Sequence, residues 1–166
     1  MKRSIRRVVL FAAGIVVGSM GMQTISAQLN KNTAHRINHV GIRVKDYQQS
    51  LDYYTKVLGF KEAYRFPSPT GAPSTTFLQV NKDTFIEMAP PAEGQPAGLT
   101  HIGLYTDDAA ATIQQFRQAG ATANDAQPSA NSGSKLSNVT DPNGIRIEIN
   151  EQPTGSLMRK AMDAWR

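Results

Sequence analysis

The stretch Asn38-His39-Val40-Gly41-Ile42-Arg43-Val44-Lys45-Asp46 returns roughly 62 residues later as Thr100-His101-Ile102-Gly103-Leu104-Tyr105-Thr106-Asp107-Asp108, with His on His and Gly on Gly. The match extends outward from there. Leu51 falls on Ile113 and Tyr54 on Phe116, Gly59 meets Gly120 after a one-residue slip, and Phe85-Ile86-Glu87-Met88 lines up with Arg146-Ile147-Glu148-Ile149. Self-similarity at a fixed spacing means a repeated structural unit, so the chain carries two copies of one unit.

Each unit reads as a strand, a helix and three further strands. Residues 37–44 alternate and are rich in β-branched side chains. Asp46 then caps a helix with Tyr47, Leu51, Tyr54 and Leu58 on one stripe, stopped by Gly59. In the second unit Asp107 or Asp108 is the cap, Ala109, Ile113 and Phe116 form the stripe, and Gly120 is the stop. Strands are predicted at 61–66, 75–80 and 84–89, then at 121–125, 134–140 and 144–150. The two modules span 36–90 and 99–151, an α+β arrangement. The Pro-, Ser- and Gly-rich stretches 67–74 and 125–134 read as mobile surface loops or a lid. Over 153–166, Leu157, Met158, Ala161, Met162 and Trp165 fit a final amphipathic helix, packed on the domain or on a partner.

Side chains alternate across a strand, so pattern assigns faces. Val40, Ile42 and Val44 form an apolar row for a helix, which puts His39, Gly41 and Arg43 on the other face. The same logic sets His101, Gly103 and Tyr105 opposite Ile102 and Leu104, Glu87 opposite Ile86 and Met88, and Arg146, Glu148 and Asn150 opposite Ile145, Ile147 and Ile149. Two His and two Glu, one pair per repeat, thus share a face. The chain has three His and no Cys, so a metal here must be held by His, carboxylate or backbone oxygen. Imidazole and carboxylate together suit a divalent cation such as Zn, Ni, Co, Mn or Fe. Two buried carboxylates without a cation would cost heavily or take up a proton. His35 has no repeat partner and reads as a surface residue.

The formal charge of +5 invites a nucleic-acid reading until its location is considered. Lys2, Arg3, Arg6 and Arg7 lie in the first seven positions, and residues 1–27 hold no Asp or Glu. Without that segment 14 basic residues face 13 acidic ones, a net +1, and the nucleic-acid reading falls. The basic stretch, the apolar run Val8–Gly18 and the small residues up to Ala27 have the order of a cleaved secretory signal. A membrane anchor is the rival, but Gly14, Gly18, Ser19, Gly21 and Gln23 break the run short of the ~20 apolar residues that a span needs. The expectation is an exported protein, periplasmic or extracellular, with no membrane span after cleavage; Arg6-Arg7 faintly resembles a twin-arginine signal.

Residues 36–151 resemble the vicinal oxygen chelate superfamily, which includes glyoxalase I, methylmalonyl-CoA epimerase, extradiol dioxygenases and the fosfomycin and bleomycin resistance proteins. The resemblance rests on 39–46, Ser50-Leu51-Asp52-Tyr53-Tyr54, Val57-Leu58-Gly59-Phe60 and Asp141-Pro142-Asn143-Gly144-Ile145-Arg146-Ile147-Glu148. It implies two βαβββ modules forming a cupped mixed sheet, helices outside, around a metal held by His39, Glu87, His101 and Glu148. The order His, Glu, His, Glu is that of glyoxalase I; extradiol dioxygenases leave the second position empty. The expected activity is that of a divalent-metal-dependent lyase or isomerase acting through a metal-bound enediolate on a small oxygenated metabolite. Glu148 is the expected general base, Glu87 the alternative, and Arg43, Tyr105, Phe85 and Arg146 are the expected substrate-binding residues. Arg43 matches an arginine that approaches the glutathione carboxylate in that family. Pro91 replaces the family's Asn four residues past the second ligand, and export would remove the protein from the glutathione pool, so glutathione is not the expected substrate. The rivals are an iron-dependent extradiol-type dioxygenase and a metal-free small-molecule binding or resistance protein. The resemblance leaves open whether the cup closes within one chain or through a homodimer.

Overall fold

The computed structural model describes residues 35–166. The expected signal segment 1–27 lies outside the described residues. From Arg36 the chain runs through β1 (Arg36–Arg43), α1 (Tyr47–Asp52) continued by a π-helical turn (Tyr53–Val57), β2 (Lys61–Arg65), β3 (Thr76–Asn81) and β4 (Thr84–Ala89). The second half follows as β5 (Gly98–Tyr105), α2 (Ala109–Gln118), β6 (Gln127–Pro128), β7 (Lys135–Thr140) and β8 (Arg146–Glu151), with α3 (Leu157–Asp163) at the end. Among the described residues no helix is long and apolar enough to cross a membrane.

All eight strands join one mixed sheet in the order β2-β3-β4-β1-β5-β8-β7-β6. The central β1–β5 pair is antiparallel, and each of these strands has the last strand of its own module parallel on its other side. Counted outward from that pair, both modules lay down their first, fourth, third and second strands. An antiparallel seam between identical orders is a pseudo-twofold axis, so equivalent residues of the two repeats meet at the middle of the sheet.

The pleat separates two apolar layers. Leu78 and Met88 point to the outer side with Ile42, Ile86 and Val44, where Tyr47 and Leu51 of α1 cover them. Phe77 and Phe85 point to the inner side, where Met158 and Met162 of α3 pack on them. Both methionines are at most 5% exposed, and burying such a side chain contributes roughly 1.5–3 kcal/mol. The module helices therefore lie outside as expected, while the C-terminal helix enters the inner face of the same chain.

The caps follow the sequence. Asp46 accepts from Gln49 N at 2.9 Å, Asp108 rather than Asp107 accepts from Ala111 N at 3.0 Å, and Gly59 and Gly120 end their helices at φ 73° and 98°. Replacing Asp108 with Ala is expected to cost about 1 kcal/mol in urea denaturation; an unchanged midpoint would remove this cap from the account.

Three expectations are corrected. The first helix does not hold its stripe to Leu58: Leu58 N bonds to Tyr53 O at 3.0 Å, an i to i+5 step that advances the phase and leaves Leu58 43% exposed. No strand forms over 121–125, because Arg117 Nε takes the Ala123 carbonyl at 2.9 Å and its Nη1 takes Asp125 at 2.8 Å. A short β6 pairs with β7 instead. The loop 125–134 is tied down at its far end: Ser129 N bonds to Ser134 O at 2.8 Å, and Ser132 and Ser134 are buried.

Candidate metal centre

β1, β4, β5 and β8 are the four central strands, and each carries one of the expected ligands. Their registers explain the convergence. Gly41 is the lateral partner of both Glu87 and His101, and Gly103 is the partner of both His39 and Glu148. Each glycine leaves the space above it to the glutamate of its own module and the histidine of the other. A Cβ on Gly41 would overlap the His101 ring, and one on Gly103 the His39 ring.

One ligand atom from each of His39, Glu87, His101 and Glu148 lies within 4.8 Å of the others, all in a single chain. His39 Nε2 stands 3.6 Å from Glu87 Oε2 and 3.5 Å from Glu148 Oε1, and His101 Nε2 stands 3.4 Å from Glu87 Oε2. Donors at ~2.1 Å from a four-coordinate first-row cation are separated by about 3.4 Å. The two Nε2 atoms are closer, 2.9 Å, a hydrogen-bond distance. Two imidazoles and two carboxylates converging in this way are a donor set that suits a divalent first-row cation.

Electrostatics point the same way. Both imidazoles are buried. Burial holds His39 down at about 4, assisted by His101 and Arg146 and opposed by Glu87, so near neutrality its ring is uncharged and keeps a lone pair to donate. Burial, reinforced by the charge of Glu87, pushes the Glu148 carboxyl up to about 7. Burial also pushes Glu87 up, but the hydrogen bond and charge of His101, with His39 and Arg146, outweigh it and hold Glu87 below its ordinary value. Two neighbouring, partly buried carboxylates thus split in opposite directions, as a pair awaiting positive charge does.

The other expected site residues are distributed unevenly. Arg146 touches the cluster: its Nη2 meets His101 Nδ1 at 2.6 Å and its Nη1 lies 3.5 Å from Glu148 Oε2. Arg43 donates to the Pro90 carbonyl at 2.8 Å, which occupies it structurally. Tyr105 lies beneath the Arg36 guanidinium, 4.2 Å from ring centroid to Cζ, at the far end of β5. Phe85 shares the face of His39 and Glu87, yet it is fully buried in the layer under α3 and does not line the cavity. His35 is exposed and rests against Phe116.

A cavity of about 80 Å³ opens on the cluster, touching His39, Glu87 and Glu148. Its walls were not foreseen. Tyr64 and Phe77, stacked at 4.5 Å, form one side with Phe66; Ser129, Ser132 and Ser134 of the 125–134 loop form another, and Met158 closes it. Phe77 was within reach of sequence reasoning, since it is the cross-strand partner of Glu87. A larger groove, about 650 Å³, runs between the start of α1 and the 66–74 loop but contains none of the four cluster residues.

Comparison with known proteins places this geometry. Residues 36–149 match the family described as the Glyoxalase/Bleomycin resistance protein/Dioxygenase superfamily. A lactoylglutathione lyase of Escherichia coli O157:H7 is 32% identical over 125 residues, covering 70% of this chain and 93% of that protein. One from Neisseria meningitidis serogroup A is 28% identical over 128 residues, covering 72% and 93%. Among solved structures, methylmalonyl-CoA epimerase from Mycobacterium tuberculosis shares the fold at TM-score 0.60 and 19% identity, over 70% of this chain and 87% of that one. With the repeat, the mixed eight-stranded sheet and the His/Glu cluster at its axis, the chain belongs to the glyoxalase, bleomycin resistance and dioxygenase superfamily.

Proposed function

We propose that the protein is a divalent-metal-dependent lyase or isomerase of the glyoxalase type, moving a proton beside the carbonyl of a small oxygenated substrate. The observation that carries this reading is the meeting of four ligand atoms within 4.8 Å. His39, Glu87, His101 and Glu148 would hold the cation, which when bound supplies Lewis-acid stabilisation of the charge that develops on the substrate oxygen. Glu148 is the base. Both carboxylates border the cavity where a substrate carbon would sit, but Glu87 is engaged by His101, whereas in the metal-free chain burial and the charge of Glu87 make Glu148 the more basic of the two. The stacked rings of Tyr64 and Phe77 keep water from that side.

The cavity supports a compact, uncharged substrate. No Lys or Arg lines it, and about 80 Å³ is well below the ~300–1,000 Å³ of pockets that take drug-sized ligands. A glutathione adduct would bring two carboxylates and find no Lys or Arg side chain lining the cavity to pair with them. Export, read from residues 1–27, would also keep the enzyme from the cytoplasmic glutathione pool. Glu87 turned into the cluster distinguishes the site from a dioxygenase triad.

The test is exchange of the substrate's carbon-bound hydrogen with deuterated solvent, followed by NMR. Protein loaded separately with Zn, Ni, Co, Mn or Fe would be given small 2-oxoaldehydes and 2-hydroxyketones, with and without glutathione. The expected result is metal-dependent exchange without glutathione, reduced about 100-fold or more in Glu148→Gln. Full exchange in that variant would transfer the base role to Glu87. Iron-specific oxygen uptake, or failure to retain any metal, would overturn the reading.

A further inference from the structure

We propose that a buried chain of side-chain amides, Asn38–Asn150–Gln152, is a positioning device that fixes the tautomer of His39 and ties it to the C-terminal helix. The inference rests on the metal reading only for its consequence, not for its geometry. All three amides are at most 6% exposed.

The direction of every hydrogen bond in the chain follows from one backbone carbonyl. Leu104 O can only accept, and Asn150 Nδ2 reaches it at 3.0 Å. The amide nitrogen of Asn150 is thereby placed, and its Oδ1 faces Asn38 Nδ2 at 2.9 Å and Gln152 Nε2 at 2.9 Å. With its nitrogen committed, Asn38 presents Oδ1 to His39 Nδ1 at 3.0 Å. An amide oxygen can only accept, so His39 must carry its proton on Nδ1. Its Nε2 then has a lone pair aimed at the cluster centre. Such an outer partner is how proteins orient a ligating imidazole.

The far end of the chain is anchored as firmly. Gln152 Oε1 accepts from Ser134 Oγ at 2.8 Å and from Ser156 Oγ at 3.0 Å, and Ser156 is the N-cap of α3, accepting from Arg159 N at 3.3 Å. Among the described residues no amide chain of this kind serves the other half. The repeat sets Thr100 against Asn38, Ala89 against Asn150 and Pro91 against Gln152. His101 Nδ1 meets the Thr100 hydroxyl at 3.0 Å and the Arg146 guanidinium. Ser156 and α3 lie beyond residue 149, where the family match ends, so the aim of one ligand is tied to a segment outside the repeat.

The experiment has two readouts on the full chain. In metal-free protein, side-chain ¹⁵N NMR should show His39 protonated on Nδ1 in the wild type and in Asn38→Asp, which keeps the acceptor, but a tautomer mixture in Asn38→Ala. In parallel, cobalt(II) affinity by chelator competition should fall about 10–100-fold in Asn38→Ala, with an altered visible ligand-field spectrum. Gln152→Met, which keeps the volume but cuts the chain, should give a smaller loss in the same direction and serves if Asn38→Ala fails to fold. An unchanged His39 tautomer in Asn38→Ala, or, if that variant fails to fold, an unchanged cobalt affinity in Gln152→Met, would overturn the proposal. A wild type that takes up no cobalt would sink the metal reading alone, because the tautomer comparison still decides this one.

Discussion

Gly103→Ala is expected to abolish tight metal binding while leaving a folded, weakened protein. The added methyl would occupy the space of the His39 ring, and that ring, 1% exposed, has little room to retreat. It lies edge-on to Phe77 at 6.2 Å between centroids and its Nδ1 is held by Asn38. Forcing one carbon into such a site costs typically 1–3 kcal/mol. The larger effect is on the ligand: a displaced imidazole loses its aim, and affinity for zinc should fall on the order of 100-fold. Gly41→Ala should do the same through His101. Gly155→Ala is the control, since nothing lies within 4 Å of its added carbon; it should change stability by no more than about 0.5 kcal/mol. Calorimetric zinc titration of the three variants decides the matter, and full affinity in Gly103→Ala would mean that the imidazole sits elsewhere.

The reciprocity of these two glycines explains why so much of the centre was legible. A repeat with His and Gly two residues apart, on strands that pair antiparallel about a twofold, must bring the histidine of one copy over the glycine of the other. Alternation then assigned Glu87 and Glu148 to the same face. What escaped the sequence came from outside the repeat or from breaks in its period. Phe85 was placed on the correct face, but alternation does not say that α3 will later cover it. The π turn at Tyr53–Val57 changes helical phase without any glycine or proline to announce it. Asn38 is the sharpest case: adjacent to His39, it should face the opposite side of a regular strand, yet it bonds to that ring. A register shift between Ile37 and His39 marks an irregularity of the kind that re-aims side chains beside functional sites, and it is written in strand pairing rather than in residue type.

Glu148→Gln should stabilise the metal-free protein and cripple the metal-bound one. In the folded chain this carboxyl is pushed from 4.5 up to about 7 by burial and by Glu87. Once ionised, it costs the native state about 3 kcal/mol relative to the unfolded chain. The sign follows from proton counting: between pH 4.5 and 7 the native protein binds more protons at this position than the unfolded one, so its stability falls as pH rises through that window. His39 acts oppositely. Held down at about 4, its ring is protonated in the unfolded chain first, so its contribution rises with pH between about 4 and 6.5 and masks the Glu148 trend in the wild type. Glutamine removes only the Glu148 contribution. In chelator-treated protein, urea denaturation should therefore show Glu148→Gln more stable than wild type by about 2–3 kcal/mol at pH 8, with almost no difference at pH 4.5. Added zinc should reverse the order at pH 8, because ligand binding stabilises by RT ln(1 + L/Kd), L being the free ligand concentration, and the variant, having lost an anionic donor, has the larger Kd. Equal stability of the two proteins at pH 8 without metal would mean that neither burial nor Glu87 disfavours the ionised Glu148 carboxylate. An order left unchanged by zinc would mean that this cost is not relieved by a cation. The instability of the metal-free protein at this position and its affinity for positive charge have one source, the burial of the Glu148 carboxyl reinforced by the charge of Glu87.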